Sequence, residues 1–236
     1  AAARAYNKRL AKSGQPVIGE AEDPLAELYN NNQSDSSDGS GSSSTGAGAT
    51  GDGNKDSASS KDAEYQRLLD TGDGVMGSIR IPKISVDLPI YHGTSEQTLA
   101  SGAGHLYGSS LPVGGKDTHA VITGHRGLVE ASMFTRLDEM RVGDYFYIDV
   151  MGHTLGYKVD RITEINPDDT SKLKIVPGED RVTLMTCTPY GVNTHRLLVS
   201  ALRSAIPEEI PAEDDAAKDV RVIAGVVSAA TLLVGL

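Results

Sequence analysis

The sequence predicts a mainly β protein, a closed eight-stranded barrel with short helices and an N-terminal helical segment. From residue 75 onward, short runs of alternating or β-branched side chains recur between Gly, Pro, Asp and Asn residues. Eight such runs in about 130 residues favour a closed barrel over alternating strands and helices. The 236 residues, 39% of them apolar, suffice for one such domain with some chain left over.

The predicted strands lie at 77–81, 86–90, 120–124, 145–150, 153–162, 173–175, 182–187 and 196–201. Pro89 weakens the second of these, because proline cannot donate a hydrogen bond to a central ladder. Short helices are predicted at 1–10, 63–69 and 131–137. Uneven strand spacing and the lack of an internal repeat argue against a propeller.

The ends of the chain differ in composition from the barrel. Residues 33–60 are almost entirely Ser, Gly, Asp, Asn, Thr and Ala, which bury too little apolar surface to offset backbone entropy. We therefore divide the chain into an N-terminal segment at 1–32, a flexible linker at 33–62, the barrel at 63–206 and an acidic linker at 207–221. Residues 222–236 carry no charge, and we expect a truncated transmembrane helix there. The alternative is a C-terminal helix packed on the barrel.

Charge and cysteine content exclude several classes of function. Twenty-two Lys and Arg against 32 Asp and Glu give a net charge of −10, which argues against a dedicated nucleic-acid binder. A single cysteine, Cys187, excludes an intrachain disulfide framework and any cysteine-cluster metal site. A lone cysteine is either a small buried hydrophobe or a reactive thiol.

Cys187 ends the run 182–187, directly before a Pro/Gly turn, where a rigid sheet can present a side chain to an opening. A thiol attacks as thiolate and needs a nearby base or cation, because its ordinary pKa is near 8.5. Arg196 follows nine residues later and returns beside Cys187 if the two strands form a hairpin. The alternative for Arg196 is an ordinary solvated charge at a strand end.

Histidine is the expected proton carrier, and the chain has six. His125 ends the run 120–124, and Gly124 beside it allows close approach of a substrate backbone. His195 adjoins Arg196, so the two side chains would point to opposite faces of an extended strand. His92 and His105 lie beside glycines and are predicted to be structural hydrogen-bonding groups.

These residues lie in strings that resemble the sortases, the cysteine transpeptidases of Gram-positive bacteria. The string TLMTC at 183–187 resembles their TLxTC signature, TGH at 123–125 resembles their catalytic-histidine segment, and Arg196 falls where their catalytic arginine falls. The strings at 88–94, 102–105, 110–115 and 187–199 resemble class C, the pilus-assembly branch. The similarity is dense over residues 76–203.

The resemblance implies a sortase-type barrel and a cysteine transpeptidase reaction. Cys187 would attack the Thr–Gly carbonyl of an LPxTG-type sorting signal at a pilin C-terminus, and His125 would protonate the departing amine. Arg196 would steady the oxyanion or align the Thr carbonyl. A Lys of the next pilin would then form an isopeptide bond. This chemistry requires no metal or organic cofactor.

The resemblance also implies a lid and a membrane location. Class C sortases carry an Asp-Pro-aromatic motif over the active site; here Asp23 and Pro24 match it, whereas Leu25 replaces the aromatic residue. By resemblance Asp23 would pair with Arg196 and Leu25 would cover Cys187. The alternative is an ordinary turn. A second membrane helix is common in the family, consistent with residues 222–236 and an extracellular catalytic domain.

Three other functions remain open. A housekeeping sortase would join surface proteins to peptidoglycan by the same chemistry. A cysteine peptidase would simply hydrolyse its substrate. A non-catalytic surface binding module would hold Cys187 as a buried hydrophobe.

Overall fold

The computed structural model describes residues 1–13, 58–126 and 133–207. The strands are β1 (Val75–Ile81), β2 (Val86–His92), β3 (Ala103–His105), β4 (Thr118–Thr123), β5 (Tyr145–Val150), β6 (His153–Ile165), β7 (Asp180–Thr188) and β8 (His195–Arg203). The α-helices are α1 (Ala2–Ser13), α2 (Ala58–Lys61), α3 (Ala63–Arg67) and α4 (Glu96–Ser101). Short 3-10 turns lie at Pro82–Ile84, Leu137–Glu139 and Ser171–Leu173.

The eight strands close into a barrel in the order β1-β2-β3-β4-β7-β8-β6-β5. Two neighbouring pairs are parallel, β2 with β3 and β4 with β7, and the other pairs are antiparallel. The prediction of a mainly β, closed eight-stranded barrel is confirmed. Closure leaves no free sheet edge, so every strand has a neighbour on both sides.

Branched aliphatic side chains fill the barrel interior. Ile79, Ile122, Leu184 and Val199 are completely buried and belong to one large cluster. Burying each such side chain contributes about 1.5–3 kcal/mol. Alternate residues of β4, β7 and β8 point outward instead, where Val121, Met185 and Leu198 form a second cluster outside the barrel wall.

One predicted strand is wrong and one strand is missed. Residues 173–175 form no strand: Ser171–Leu173 is a 3-10 turn in the crossover from β6 to β7, and Leu173 is buried by packing on the outer cluster. The missed strand, β3, directly follows Gly102 and has Gly104 as its middle residue, so its β propensity is low. It is a strand because it pairs with β2 on one side and β4 on the other.

Pro89 is compatible with a strand at the position it occupies. It pairs with Ser78 of β1, whereas the ladder between β2 and β3 starts one residue later, at Ile90. The missing N–H therefore falls outside the paired stretch with β3.

Two predicted helices differ from the structure. The helix predicted at 63–69 is the shorter α3, which begins with the Asp62 carboxylate accepting the Tyr65 N–H at 3.0 Å and precedes Leu69 in a left-handed conformation (φ 67°). In the helix predicted at 131–137, the first two residues lie outside the described ranges. The remainder forms turns, because Met133 has a φ of 33° and cannot continue a right-handed helix.

Helix α1 packs against the barrel. Buried Asn7 donates to the Leu111 carbonyl at 2.9 Å and accepts the Leu111 N–H at 2.7 Å. The predicted boundaries at 32/33, 62/63, 206/207 and 221/222 stay predictions. The linker at 33–57, the lid residues Asp23, Pro24 and Leu25, and the apolar residues 222–236 lie outside the described residues. In the part of the chain that is described, no helix has the length and apolar character needed to cross a membrane.

Candidate active site

The hairpin of β7 and β8 places the cysteine opposite the arginine. Cys187 is the register partner of Arg196, and Thr188 is the partner of His195. Partners directly opposite each other in an antiparallel pair project from the same face of the sheet. The predicted return of Arg196 beside Cys187 is therefore observed.

Strand β4 brings the histidine to the same end of the barrel. It runs parallel to β7 with Thr123 beside Met185, and the Gly124 N–H donates to the Met185 carbonyl at 3.1 Å. Continued by two residues, this register sets His125 level with Cys187. The Thr186 hydroxyl donates to the Gly124 carbonyl at 2.8 Å and ties the two strand ends together.

All three side chains project from the outer face of the barrel wall. Cys187 lies two residues after Met185 in β7, and Arg196 lies two residues before Leu198 in β8, so each points to the same face as that neighbour. Met185 and Leu198 belong to the outer cluster. Cys187 is 1% exposed and packs with Leu99 of α4, apart from the cluster that fills the barrel interior. Burial alone fits both a packing role and a sheltered thiol, but the position on the outer face beside Arg196 distinguishes Cys187 from the core residues.

Arg196 is held in place by main-chain carbonyls. Its side chain is buried, with 2% of the residue exposed, and Nη1 donates to the carbonyls of Asn193 and His195, both at 2.9 Å. Arginine keeps its charge at any physiological pH, so these bonds set its position without quenching it. His195 is exposed on the opposite face, as predicted.

His125 lies in a dry environment. Only 2% of the residue is exposed, and burial lowers the pKa of the imidazole. Its Nδ1 atom is buried and makes no hydrogen bond to any residue that the structure describes. The His125 carbonyl accepts the Phe134 N–H at 2.9 Å, and the Phe134 ring fills the space where a side chain at Gly124 would lie. An imidazole with an unused buried nitrogen is suited to exchange a proton with a substrate.

Sequence reasoning missed Arg126, which bridges the two strand ends. Its Nη1 donates to the Cys187 carbonyl at 3.4 Å and to the Thr188 hydroxyl at 3.3 Å, and Nη2 contacts Asp138 at 2.5 Å. The guanidinium also lies 5.8 Å from the centre of the half-exposed Tyr190 ring. Its only sequence signal is the position next to His125, because the contacts with Cys187 and Thr188 span about sixty residues of chain.

The other buried histidines have structural roles, as predicted for His92 and His105. His92 contacts the carbonyls of Gly74 and Leu68 at 3.1 and 2.7 Å. His105 lies 2.9 Å from the Tyr65 hydroxyl and 2.8 Å from the Ser110 carbonyl. Among the described residues, no group of three His, Cys, Asp or Glu side chains could hold a metal ion.

A thiol, an imidazole and a guanidinium thus meet at one end of three adjacent strands. The arrangement can supply a nucleophile, a proton donor and acceptor, and a fixed positive charge for an oxyanion. The exposed side chains of Tyr190 and Val192, in the loop after Cys187, provide an apolar surface beside these groups.

Comparisons with known proteins identify relatives of this chain. The profile of the Sortase domain family matches residues 79–204, more than half of the chain. The crystal structure of sortase C-1 from Actinomyces oris is 54% identical, with a TM-score of 0.59, and the match covers 60% of this chain and 80% of that one. Group B Streptococcus Pilus Island 1 sortase C2 is 50% identical, with a TM-score of 0.58 and coverage of 60% and 80%. Sortase A of Streptococcus agalactiae is 29% identical over 130 residues, which are 54% of this chain and 52% of that protein. The chain spans about half the length of the curated relatives it matches.

Proposed function

The chain belongs to the sortase family, and we propose that it is a class C sortase that polymerises pilin subunits. The observation that carries the proposal is the convergence of Cys187, Arg196 and His125 at one end of β7, β8 and β4. The two similar solved structures are named sortase C-1 and sortase C2, and the name of the second includes a pilus island. These names support the assignment of this chain to the pilus-assembly class. The proposed substrate is an LPxTG-type sorting signal, and the proposed acceptor is a pilin Lys.

In the proposed reaction the Cys187 thiolate attacks the Thr–Gly carbonyl, forming a tetrahedral intermediate. Arg196, anchored by the Asn193 and His195 carbonyls, steadies the developing oxyanion or aligns the Thr carbonyl. The intermediate collapses to a thioester on Cys187 as the Thr–Gly C–N bond breaks, and His125 donates a proton to the departing Gly amine. A Lys amine then attacks the thioester, His125 takes its proton, and the isopeptide bond forms as Cys187 is released.

Burial of the site favours transfer over hydrolysis. Cys187 and His125 are 1% and 2% exposed in the free chain, so the sorting signal and the acceptor must displace what covers them, and a groove filled by both leaves little room for water at the thioester. Burial also disfavours the imidazolium form of His125, because it lowers the pKa of the imidazole. The net charge of −10 suits an acceptor that presents a Lys.

The location and the lid belong to the same proposal. We place the catalytic domain on the outside of the cell membrane, anchored by the uncharged residues 222–236.

Asp23, Pro24 and Leu25 are proposed to cover Cys187. Because Arg196 is already anchored by two carbonyls, Asp23→Ala should increase the rate of Cys187 alkylation without unfolding the site. An unchanged rate would exclude the lid.

The experiment incubates the full chain with a sorting-signal peptide and a Lys-bearing pilin, and measures the products by mass spectrometry. We expect an isopeptide product that is lost in Cys187→Ala and reduced about 100-fold or more in His125→Ala. His195→Ala is the matched control, because His195 is exposed and faces away from Arg196, and it should stay within a few-fold of the parent.

Each alternative function has its own result. Isopeptide formation by Cys187→Ala would contradict the nucleophile, and a larger loss in His195→Ala than in His125→Ala would contradict the chosen imidazole. Free acid as the only product would indicate a peptidase, and transfer to a peptidoglycan amine alone would indicate a housekeeping sortase. A Cys187 that resists alkylation at every pH, in a chain without product, would indicate a binding module.

A further inference from the structure

A basic cavity lies at the end of the barrel opposite Cys187. It has a volume of about 670 Å³ and is bounded by α1, by the loop that leads into β4 and by the segment after the Ser171–Leu173 turn. Thr118 at its wall pairs with Asp180, the first residue of β7, and Cys187 is seven residues further along that strand. At a rise of about 3.3 Å per residue, the two sites are roughly 23 Å apart.

Five cationic side chains line this cavity: Arg4, Lys8, Lys12, Lys116 and Lys174. One carboxylate is among the lining residues, that of Asp117, and its Oδ1 accepts the Gly178 N–H at 2.6 Å. In the whole chain, acidic residues outnumber Lys and Arg by 32 to 22. The lining thus reverses the charge balance of the protein.

None of the five cations forms an ion pair with a carboxylate in the ranges that the structure describes. Arg9, the next residue along α1 after Lys8, behaves differently, because it contacts Glu64 at 2.5 Å and does not line the cavity. Like charges held close together repel each other, so the cluster costs stability unless an anion neutralises it.

The cations on α1 are regularly spaced. Arg4, Lys8 and Lys12 follow one another at intervals of four residues, so they lie on one face of the helix about 6 Å apart along its axis. Asn7, between them, is fixed to Leu111 by two hydrogen bonds, which holds this face over the barrel.

The other two cations, Lys116 and Lys174, lie on main-chain segments that hydrogen bonds hold in place. The Gly115 N–H, next to Lys116, donates to Asp180 Oδ2 at 2.7 Å, and the Lys174 carbonyl lies 2.9 Å from His119 Nδ1. The cavity is therefore largely formed before any ligand arrives, and its volume lies in the range of small-molecule sites.

We propose that this cavity binds several phosphate groups that an anionic ligand presents in a row. Lys and Arg are the side chains that bind phosphate oxygens, Lys as a point charge and Arg as a forked donor. The row of charges on α1 suits successive phosphates, and Lys116 and Lys174 close the site from the barrel side. The phosphates could come from a soluble polyphosphorylated molecule or from anionic lipid headgroups, and the two sources share this chemistry. The site is separate from the reaction at Cys187 and does not depend on it.

Isothermal titration calorimetry of the full chain at low salt tests the proposal, with tripolyphosphate and orthophosphate as the probes. We expect tripolyphosphate to bind more tightly than orthophosphate. Lys8→Gln should weaken its binding about three- to fivefold, and Lys8→Gln with Lys116→Gln about tenfold or more. Arg9→Gln is the matched control, because it removes a cation from the same helix outside the cavity, and it should change the affinity less than twofold. All these side chains are exposed, so every variant should stay folded. Lys8→Gln and the double variant relieve repulsion and should not lower the thermal unfolding midpoint, whereas Arg9→Gln loses only its exposed contact with Glu64 and should lower the midpoint little.

A parallel measurement uses vesicles of phosphatidylglycerol and of phosphatidylcholine. Binding of the anionic vesicles that weakens in Lys8→Gln but not in Arg9→Gln assigns the site to lipid headgroups. If the chain binds tripolyphosphate but does not bind the anionic vesicles, the site is assigned to a soluble ligand. The proposal is overturned if neither probe binds, or if Arg9→Gln and Lys8→Gln weaken binding equally, since the attraction would then be a property of the whole surface.

Discussion

Replacing Gly124 by alanine should damage both the stability and the activity of this protein. A Cβ atom at Gly124 would lie 2.7 Å from two ring carbons of Phe134, about 0.7 Å inside the 3.4 Å at which ordinary contact begins. Phe134 is fully buried, so its ring cannot move into solvent to relieve the overlap. The ring and its backbone must shift together within a packed core.

The expected cost follows from overpacking. Adding a carbon to a packed core costs about 1–3 kcal/mol. For a protein of this size, about 2 kcal/mol lowers the thermal unfolding midpoint by roughly 4–8 °C. Because the Phe134 N–H donates to the His125 carbonyl at 2.9 Å, movement of Phe134 also displaces the imidazole. A displacement of about 1 Å at a catalytic group can reduce the rate about 100-fold.

A double-mutant cycle identifies the contact responsible. Thermal and urea unfolding of Gly124→Ala, Phe134→Leu and the double variant give the coupling energy, and peptide cleavage gives the effect on rate. Leucine leaves room for the new methyl group, so the two changes together should cost at least about 1 kcal/mol less than their sum. Costs that add within about 0.5 kcal/mol, or an unchanged midpoint in Gly124→Ala, would refute the overlap with Phe134.

Two further predictions concern buried cationic and histidine side chains. Arg126→Gln should lower kcat about tenfold with little change in KM, because the carbonyl of Cys187 and the hydroxyl of Thr188 lose the donor that they share. The control is Asp138→Asn, which alters only the exposed partner of Arg126 and should have a much smaller effect. The free energy of unfolding should fall between pH 7 and pH 5. Burial lowers the pKa of His105 and of His119 to about 4, so the unfolded chain, where histidine has a pKa near 6.5, binds roughly two more protons than the folded chain. Urea unfolding at several pH values measures how steeply the free energy of unfolding changes with pH. In His119→Asn this dependence should correspond to about one proton fewer. An unchanged pH dependence would show that His119 does not contribute to it.

The hairpin half of the site could be predicted from the sequence alone. Cys187 and Arg196 belong to consecutive strands joined by a short Pro/Gly loop, and such strands usually pair antiparallel. Pairing across a short loop fixes which residues lie opposite each other, and alternation along the strand then sets His195 on the other face. Local sequence patterns contain this information.

The position of His125 could not be obtained in that way. It depends on parallel pairing of β4 with β7, two strands with β5 and β6 between them in the chain. Periodicity predicts that a strand exists but not which distant strand it pairs with. The family resemblance supplied the role of His125, and the same lack of a local signal explains why Arg126 was missed. Strand β3 was missed for a related reason, since its three residues are ordered by their neighbours on both sides.

The register that aligns the three groups is fixed away from the reacting atoms. His119 Nε2 lies 2.7 Å from the Thr183 hydroxyl, which lies 2.8 Å from the Ser200 hydroxyl, so one polar chain crosses β4, β7 and β8. Thr183 and Ser200 are register partners four residues from Cys187 and Arg196 along each strand, on the same outer face. A slip of β7 by one residue would turn Thr183 inward, where the large apolar cluster offers it no hydrogen-bond partner, and would turn Cys187 inward with it. The energetic cost of burying one hydroxyl without a partner therefore helps to keep the thiol on the face that carries the arginine and the histidine.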